Sequence, residues 1–550
     1  MAGRKADRME TCTSQKKYMV FPNLHRVREY HNGVILVSGI PRRTIRSVRS
    51  VTLHGNPTKS SRSASFARTF IPTIRKPMRT ATIFLLGALS GVAGAAVTEV
   101  DSLAALADAT RGNGAEVRLK PGVYKMADYL TDDVLKTIRE GVDRSQKRPP
   151  VPMFVLRGND NRVDASGATL EIDTSLYKKV PQGGYTRCII IAGKGNTLNG
   201  LSIRNTGPET GSNGNILSVE GPDNTLENVT LHVRGSFPYG CGDLLGKGGP
   251  NLVALQKQSG IQVIGSRTLL KRCKVFSRAF GHCFYIQGGE GSRVEDCYAE
   301  GSTRGTSEML ADTAGPAFDL GFRSVYRNRD GRFAITPGYT KSLSEDGFRT
   351  YGGAGSVTIS NCTAVNTRAG FEIGAKDDSP TKTVVENCVA RGCERGFLIG
   401  SHTIVRGCRG DIVHGPLLYL RGGLKSDVQL ELIGDPPQSL VHTIATIAGE
   451  NHRVRLTAQE GFERMPSLPI LLGFGMPMHA EMASAIDPAV AKGIDFENRI
   501  SFANVITSDQ IVESKIETTG RRFSDADFRK DPGPWSLPPN GVANGVPARK

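Results

Sequence analysis

The sequence is poor in aromatic side chains. It contains a single tryptophan, Trp535, and Phe, Trp and Tyr together make up only 6% of its 550 residues. Glycine, by contrast, occurs 64 times. Few large aromatic anchors and many glycines suit short strands joined by tight turns and disfavour a helical bundle. A chain of this length can still bury a large core if one elongated repeat domain holds most of it.

The sequence also lacks a run of transmembrane length. Its longest apolar run, Ile83–Val92, follows a positive flank that includes Arg79 and precedes the small residues Ala93–Ala95. This order is typical of a secretory signal peptide, and the run is shorter than the roughly 20 apolar residues that a transmembrane helix needs. We therefore predict a signal peptide at 78–95 and a secreted or periplasmic protein, with no membrane association beyond export.

A signal peptide does not begin 78 residues into a chain. Met78 is therefore interpreted as the true start, and residues 1–77 as an upstream or disordered segment. The alternative is an uncleaved anchor with a basic cytoplasmic arm.

Net positive charge is small outside the first 77 residues. The whole chain carries a formal net charge of +17, but residues 1–77 hold 16 Lys and Arg against three acidic residues, a net of +13. Subtraction leaves only +4 for residues 78–550. A basic balance confined to one end is weak support for a nucleic-acid partner, and we predict none.

Zinc-like cysteine spacing is also missing. None of the ten cysteines forms a CxxC or Cys/His pair of the kind that holds structural zinc. Five of them instead end a recurring phrase that opens with Val, Leu or Ile: Cys273, Cys297, Cys362, Cys388 and Cys408. Their separations are 24, 65, 26 and 20 residues, and three of these four fall in the window of stacked repeats. We predict one solenoid coil per repeat, with the thiols stacked inside as small hydrophobes and not paired as disulfides.

The segments around the cysteines support this interpretation. From Met153 onward, short strand-like runs alternate with Gly and Asn turns, and Leu201 and Val229 take the cysteine position in earlier repeats. Amphipathic helices are predicted at Val100–Ala109 and Thr131–Glu140. Continuous pairing of like segments requires parallel strands, because each coil provides the long return path that such strands need.

The first helix and the following turn, LKPGVY at 119–124, resemble the entry to right-handed parallel β-helix proteins of the pectate-lyase-like superfamily. The resemblance implies an all-β, single-stranded right-handed parallel β-helix over 96–460, with the helix capping its open end. Residues 461–522 are then predicted to be a C-terminal cap and residues 523–550 a disordered tail. The resemblance to this superfamily also implies a carbohydrate substrate, commonly an acidic polysaccharide, and lyase, hydrolase or epimerase activity.

Two long insertions interrupt the repeat, at Gly235–Ser259 and Ser302–Glu345. The first is rich in glycine, and the second is dense in charged residues and tyrosine. Their aromatic and charged content favours ordered, functional loops that build walls over a groove.

Strand alternation predicts which side chains face that groove. In the segments FYI, FRT, FEI and FLI the outer residues are apolar or small and should point inward. The middle residues then form one outward column, with Gln262 one coil earlier: Tyr285, Arg349, Glu372 and Leu398.

A set of basic and aromatic residues in and around this column suits β-elimination from a uronic acid: Tyr239, Lys247, Lys257, Arg278, His282, Tyr285 and Arg349. Overall the chain resembles a polysaccharide lyase such as an alginate lyase. The reaction needs a base, an acid for the leaving oxygen, and cations that neutralise the substrate carboxylate. We predict Lys257 or Tyr239 as the base and Tyr285 or His282 as the acid. Arg278 and Arg349 are predicted to hold the carboxylate. The predicted substrate-binding residues are Lys247, Arg304, Tyr339, Lys341 and Glu372.

Three alternatives remain open from the sequence. Hydrolysis wants two opposed carboxyl groups, and the column offers only Glu372, although Asp312 and Asp319 in the second insertion keep this reaction open. A uronate C5-epimerase would use the same proton abstraction, and a non-catalytic surface solenoid would use none of these groups. Calcium is also left open as a cofactor, with Glu372, Asp377 and Asp378 as its candidate ligands.

Overall fold

The computed structural model describes residues 96–143, 145, 149–180, 185–247, 251–328, 331–374, 382–434, 436–461, 468–475 and 487–530. The predicted signal peptide and upstream segment lie outside the described residues. So do Asp377, Asp378 and residues 531–550 of the predicted tail.

The chain forms the predicted right-handed parallel β-helix, in which each coil contributes strands to three series. The first series, which we call the front sheet, pairs its strands in parallel from coil to coil. Its strands are Pro150–Leu156, Tyr185–Ile191, Gly214–Val219, Gln258–Val263, Phe284–Ile286, Phe348–Thr350, Phe371–Ile373, Phe397–Ile399, Leu418–Leu424, Ala445–Glu450, Pro469–Leu472, Asn504–Thr507 and Arg521–Ser524, with Ala491–Lys492 and Ile511–Val512 pairing beside it.

The other two series merge at one long strand, Thr403–Gly410, which pairs with both. The side series comprises Thr98–Val100, Glu116–Leu119, Arg162–Asp164, Thr197–Asn199, Thr225–Glu227, Leu269–Lys271, Ser292–Glu295, Val357–Ser360 and Thr383–Glu386. The back series comprises Gly122–Lys125, Ala168–Asp173, Ser202–Thr206, Thr230–Arg234, Lys274–Arg278, Tyr298–Glu300, Thr363–Val365 and Val389–Arg391. Beyond the merger the strands are Asp427–Leu432, Arg453–Ala458, Asp495–Asn498 and Lys515–Thr518.

Helices and antiparallel pairs are short additions to this solenoid. The antiparallel pairs are Thr303–Gly305 with Thr340–Ser342 and Phe474–Gly475 with Asp487–Pro488. The helices are Leu103–Ala109, Met126–Tyr129, Asp132–Gly141, Thr306–Met309, Pro316–Asp319 and Asp525–Lys530, with a 3-10 turn at Thr174–Lys178. In the described ranges, none of the helices has the length and apolarity needed to cross a membrane.

The first helix covers the N-terminal coil, as the sequence predicted. It begins at Leu103, and the Ser102 side chain accepts a hydrogen bond from the amide of Ala105 and so acts as the N-cap. Val100 belongs instead to the preceding strand. Leu103 and Leu106 are buried and join the main core. Apolar surface at the end of the solenoid is thereby removed from water.

A ladder of phenylalanine rings fixes the register of the front sheet. Phe284, Phe348, Phe371 and Phe397 are paired in neighbouring coils and point inward. Successive ring centroids are 4.9, 5.0 and 5.0 Å apart, with nearly parallel planes. Stacking of this kind contributes about 0.5–1.5 kcal/mol per pair beyond the burial of area. A slip of one residue would expose the whole ladder, so the register is strongly specified.

The cysteine phrase has a backbone explanation as well as a packing one. The five cysteines form one inner column at the turn between the side and back series, and the nine described cysteines are all buried and free, which confirms the prediction. The residue before each of them has a positive φ, such as 54° at Asn361 and Asn387 and 59° at Gly407. Asn, Asp and Gly tolerate this left-handed conformation best. The polar or small residue in the phrase is therefore a turn residue.

The solenoid extends beyond the predicted limit at residue 460. Parallel pairing continues through Pro469–Leu472 and Asn504–Thr507 to Arg521–Ser524, so these strands of the predicted cap are further coils. The helix Asp525–Lys530 occupies the start of the predicted tail. Sequence patterning missed these coils because they carry no cysteine phrase and their strands are short.

The left-handed turn residue gives a test of the register. In Asn387→Ala the methyl side chain is disfavoured at φ 54°, whereas Asn387→Gly keeps the conformation accessible. We expect the alanine variant to lose about 1–2 kcal/mol of unfolding free energy and the glycine variant to lose less. Urea unfolding followed by circular dichroism measures both. Equal losses would show that the backbone conformation does not limit stability at this turn.

Candidate active site

Ionisable residues occupy two adjacent turn positions just before the phenylalanine ladder. Backbone hydrogen bonds keep these turns in register; for example, the amide of Gly370 donates to the carbonyl of Arg395. Three residues before each phenylalanine stand Gly281, Glu345, Arg368 and Glu394, and two residues before it stand His282, Asp346, Ala369 and Arg395. Each ionisable side chain in this set is buried, so opposite charges from neighbouring coils meet away from water. We call this set, together with the side chains that contact it, the ionic cluster.

Arg368 lies at the centre of the ionic cluster. Its guanidinium Nη2 lies 3.0 Å from Asp346 Oδ1, and its Nη1 lies 3.2 Å from Glu345 Oε1. Burial alone would lower the pKa of Arg368, but the two carboxylates outweigh it and raise the pKa well above its usual value. Burial alone would likewise raise the pKa of Glu345, and the charges of Lys257, His282 and Arg368 lower it instead. Arg368 and Glu345 are therefore held in their charged forms.

The predicted outward column is present and extends the ionic cluster along the front sheet. Tyr285 pairs with Arg349, which pairs in turn with Glu372. Arg349 Nη1 bridges two carboxylates, 2.9 Å from Asp346 Oδ2 and 2.8 Å from Glu372 Oε2. The sequence thus located this column correctly. The structure adds that Arg349 is already neutralised by protein carboxylates.

His282 joins the same network from the preceding coil. Its Nδ1 lies 3.1 Å from Asp346 Oδ2, and its Nε2 lies 2.9 Å from the hydroxyl oxygen of Tyr351. The Arg349 guanidinium stacks over the Tyr351 ring, 4.4 Å from its centroid. Tyr285 packs beside them, with its ring centroid 5.5 Å from that of His282. Two of the predicted acid candidates therefore lie together.

A buried triad attaches both insertions to the solenoid. Lys341 Nζ, in the second insertion, lies 3.0 Å from Asp243 Oδ1 in the first insertion and 2.8 Å from Glu394 Oε2. Side chains of both insertions also share a small apolar core of Cys241, Leu244, Leu245, Met309, Ala317, Ile335 and Leu343. The described parts of the insertions are thus packed and ordered. Lys341, which the sequence predicted to bind substrate, is instead fully buried in this triad.

Lys247 lies four residues beyond Asp243 in the first insertion and has an unusual pKa. Burial is the largest cause and lowers the pKa of its ammonium group from 10.5 to about 7. The positive charges of Arg368 and Arg395 lower the pKa further, whereas Glu372 and Asp346 oppose them. An amine with a pKa near 7 is substantially neutral at neutral pH and can accept a proton. This side chain, predicted only to bind substrate, has the properties of a general base.

Lys257, the predicted base, has different surroundings. Its Nζ lies 2.8 Å from Glu345 Oε1, donates to the backbone carbonyl of Lys247 at 3.3 Å, and lies 4.9 Å from the centroid of the Phe280 ring. This ion pair joins the loop that carries Lys247 to the ionic cluster. Lys257 therefore lies beside the site, and its hydrogen bond to the Lys247 carbonyl helps to position Lys247.

Tyr239 and Arg278 lie outside the ionic cluster. Arg278 ends the strand Lys274–Arg278 of the back series, and its guanidinium carbon lies 6.0 Å from the centroid of the Tyr239 ring. A hydrogen bond to Tyr239 raises the pKa of Arg278. The sequence placed Arg278 at the bend entering the front column. The structure corrects this, because that bend begins only after the back-series strand has ended.

Arg304 and Tyr339 also make contacts within the protein. Arg304 Nη1 lies 3.1 Å from Asp312 Oδ2, which engages one of the loop acids considered for hydrolysis. The hydroxyl oxygen of Tyr339 lies 2.8 Å from His442 Nε2, and Tyr339 is buried. The structure therefore does not place these two predicted substrate-binding residues on an open surface.

Sequence reasoning missed the turn residues of the ionic cluster, notably Glu345, Asp346, Arg368, Glu394 and Arg395. A signal for them was present. A glycine or cysteine precedes each phenylalanine of the ladder, and a charged residue or histidine stands two or three positions before that phenylalanine in all four coils. Strand alternation points only to outward strand positions, and the turns of a solenoid are usually solvated.

No metal centre is evident in the ranges that the structure covers. Within them, no three or more His, Cys, Asp or Glu side chains are grouped so as to hold an ion. Glu372, one candidate calcium ligand, is engaged by Arg349, and the other two candidates lie outside the described residues.

Comparison with known proteins assigns no family to this chain. The sequence matches no family model and no curated protein. Among solved structures, the chain is similar to a PL6 alginate lyase in complex with a trisaccharide (TM-score 0.40, 10% identity, 80% of this chain and 87% of that chain). It is also similar to a rhamnogalacturonan lyase (0.35, 13%, 59% and 75%) and to the catalytic domain of a GH87 alpha-1,3-glucanase (0.35, 12%, 78% and 66%). These similarities are too low to transfer a function.

The central arginine gives a test of the ionic cluster. Arg368→Met leaves Glu345 and Asp346 buried with fewer counter-charges, and loss of one partner of a buried pair costs about 3–5 kcal/mol. We expect a clear fall in the midpoint of thermal unfolding. The matched control is Arg409→Met at an exposed arginine of the strand Thr403–Gly410. A midpoint equal to that of the control would contradict a structural role for the ionic cluster.

Proposed function

We propose that the protein is an exported polysaccharide lyase that cleaves a uronic acid-containing polysaccharide by β-elimination. The observation that carries this proposal is Lys247, a largely buried amine whose pKa is lowered to about 7 by burial first and also by the charges of Arg368 and Arg395. A base matched to neutral pH and surrounded by guanidinium groups suits removal of a weakly acidic proton next to a carboxylate. The predicted signal peptide supports export.

The reaction assigns a role to each group. Neutral Lys247 accepts the proton from C5 of the uronate, and the electron pair of the C5–H bond forms the C4–C5 double bond. The C4–O4 bond breaks, and O4 takes a proton from Tyr285 or His282, whose ring centroids lie 5.5 Å apart. The positive field of the arginines stabilises the charge that develops on the carboxylate during proton removal.

Hydrolysis is less well supported by the same carboxylates. A glycosidase needs one carboxylic acid that is still protonated near neutral pH. Although burial would raise the pKa values of Glu345 and Asp346, their cationic neighbours, among them Arg368 and His282, lower them. These groups are therefore ionised and paired, and neither is a suitable proton donor to a leaving sugar.

A C5-epimerase is the second candidate, because it would use Lys247 for the same first step. The two reactions differ after the proton has left C5: the lyase expels O4, and the epimerase returns a proton to the opposite face of C5. A panel of uronate polymers, assayed with and without a chelator, separates them. Absorbance of an unsaturated product supports the lyase, whereas altered uronate composition without chain shortening supports the epimerase.

Lys247→Met tests the proposed base. We expect a loss of about 10²–10⁴-fold in kcat, the usual contribution of a positioned general base, with the fold retained by circular dichroism. The control is Lys274→Met, at an exposed lysine of the back series. Unchanged activity of Lys247→Met on a polymer that the wild-type protein cleaves would exclude this residue as the base.

The pH profile gives an independent check on Lys247. Below its pKa the ammonium form predominates and cannot accept a proton, so kcat/KM should rise with pH and reach half its plateau at about pH 7. Initial rates of product absorbance at low substrate concentration measure this. A profile that is flat between pH 6 and 8, an interval of about one pH unit on either side of the expected midpoint, would contradict the assignment.

A further inference from the structure

Arg395 is the buried cation of the ionic cluster with the fewest partners. Only 3% of the residue is exposed, yet neither Nη1 nor Nη2 has a hydrogen-bond partner among the described residues. The nearest carboxylate oxygen recorded for it is Glu394 Oε2, 3.9 Å from Nη2, which is beyond hydrogen-bond distance. Arg368 and Arg349, by contrast, each contact two carboxylates within 3.2 Å.

Glu394 is already committed to other partners. Its Oε2 lies 2.8 Å from Lys341 Nζ, and its Oε1 accepts from the amide of Ser342 at 2.6 Å. Both carboxylate oxygens are therefore used to attach the second insertion. The carboxylate cannot turn to Arg395 without breaking the triad that holds the two insertions in place.

A buried guanidinium whose two terminal nitrogens lack hydrogen-bond partners is costly, and native structures rarely retain one without a reason. Its five donors form a rigid planar fork that matches the two oxygens of a carboxylate. An anionic group of a ligand would satisfy the donors that the protein leaves unpaired.

Lys247 indicates where that anion would lie. The backbone carbonyl of Lys247 accepts a hydrogen bond from Lys257 Nζ at 3.3 Å, and that Nζ lies 2.8 Å from Glu345 Oε1 in the ionic cluster. The charge of Arg395, in the same cluster, is one of the causes that lower the pKa of Lys247. An anion on the Arg395 fork would therefore lie within electrostatic range of the amine proposed to remove a proton.

We propose that Arg395 binds a carboxylate of the ligand beside Lys247. The identification of that carboxylate as the uronate group of the polysaccharide rests on the function proposed above. Arg395 is then a substrate-binding residue, and Lys341 and Glu394 position it together with the loop that carries Lys247. Arg349, which the sequence predicted to hold the carboxylate, is occupied by Asp346 and Glu372.

The proposal has an electrostatic consequence that does not depend on catalysis. Replacement of Arg395 by a neutral residue removes a positive charge near Lys247 and should raise the pKa of Lys247. A carboxylate bound to Arg395 should also raise this pKa, because it cancels the same charge. Both the replacement and the bound carboxylate therefore raise the pKa of Lys247, but the effect of the carboxylate requires Arg395.

The pKa of Lys247 can be measured by competitive acetylation across a pH series, with mass spectrometry of the peptide and exposed Lys274 as the internal reference. We expect D-glucuronate at saturating concentration to raise the pKa of Lys247 by about 1 in the wild-type protein, and D-glucose at equal ionic strength to leave it unchanged. In Arg395→Gln the pKa should already be raised, and glucuronate should have no further effect. Arg409→Gln should behave as the wild type does.

Arg395→Lys provides a second variant in case the glutamine variant fails to fold. It keeps the charge but loses the fork, so it should retain the low pKa of Lys247 and show a weaker response to glucuronate. Equal responses to glucuronate and glucose, or a glucuronate response that survives in Arg395→Gln, would overturn the proposal.

The result for the anion site can be distinguished from the result for lyase activity. An Arg395-dependent response to glucuronate without any unsaturated product would support the anion site and refute the lyase. Lyase activity without an effect of glucuronate on the pKa of Lys247 would support the lyase and refute the anion site.

Discussion

The structure depends on the constant register of parallel pairing between neighbouring coils. Each position along a coil lies beside the same position of the next coil, so a residue type that suits one coil is repeated in others. Inside the solenoid this produces the phenylalanine ladder and the cysteine column, which are stabilised by burial and contact. At the turns before the front strands, the same register brings charged groups together and makes alternation of their signs necessary.

The ionic cluster follows from this constraint. Glu345, Arg368 and Glu394 occupy one turn position in three successive coils, so their signs alternate along the solenoid. Buried like charges in this arrangement would be strongly destabilising, and the observed order pairs most of them. The exception is Arg395, whose neighbour Glu394 is used by Lys341. Both terminal nitrogens of Arg395 are left without a hydrogen-bond partner among the described residues, and its charge contributes to the strongly lowered pKa of Lys247.

The insertions convert this structural network into a candidate active site. Asp243 and Lys341 attach them to the coils, and Lys257 joins the first insertion to Glu345. Lys247 lies in the same first insertion and is largely buried, and its burial is the largest cause of its lowered pKa. Two roles predicted for lysines are consequently exchanged. The lysine expected to be the base forms an ion pair, and the one expected to bind substrate becomes the proposed base.

The sequence by itself determined the solenoid, because periodic inward residues and turn residues with positive φ are local properties of each repeat. It also determined the column of Tyr285, Arg349 and Glu372, since strand alternation and equal spacing suffice for that. It did not determine the state of any side chain in the site. Whether Arg349 is free or neutralised, and whether Lys247 is an ammonium or an amine, depends on burial and on charges from coils and insertions far apart in the chain. Only the tertiary structure brings those charges within a few ångströms, where Coulomb interactions at low dielectric decide the protonation of each group.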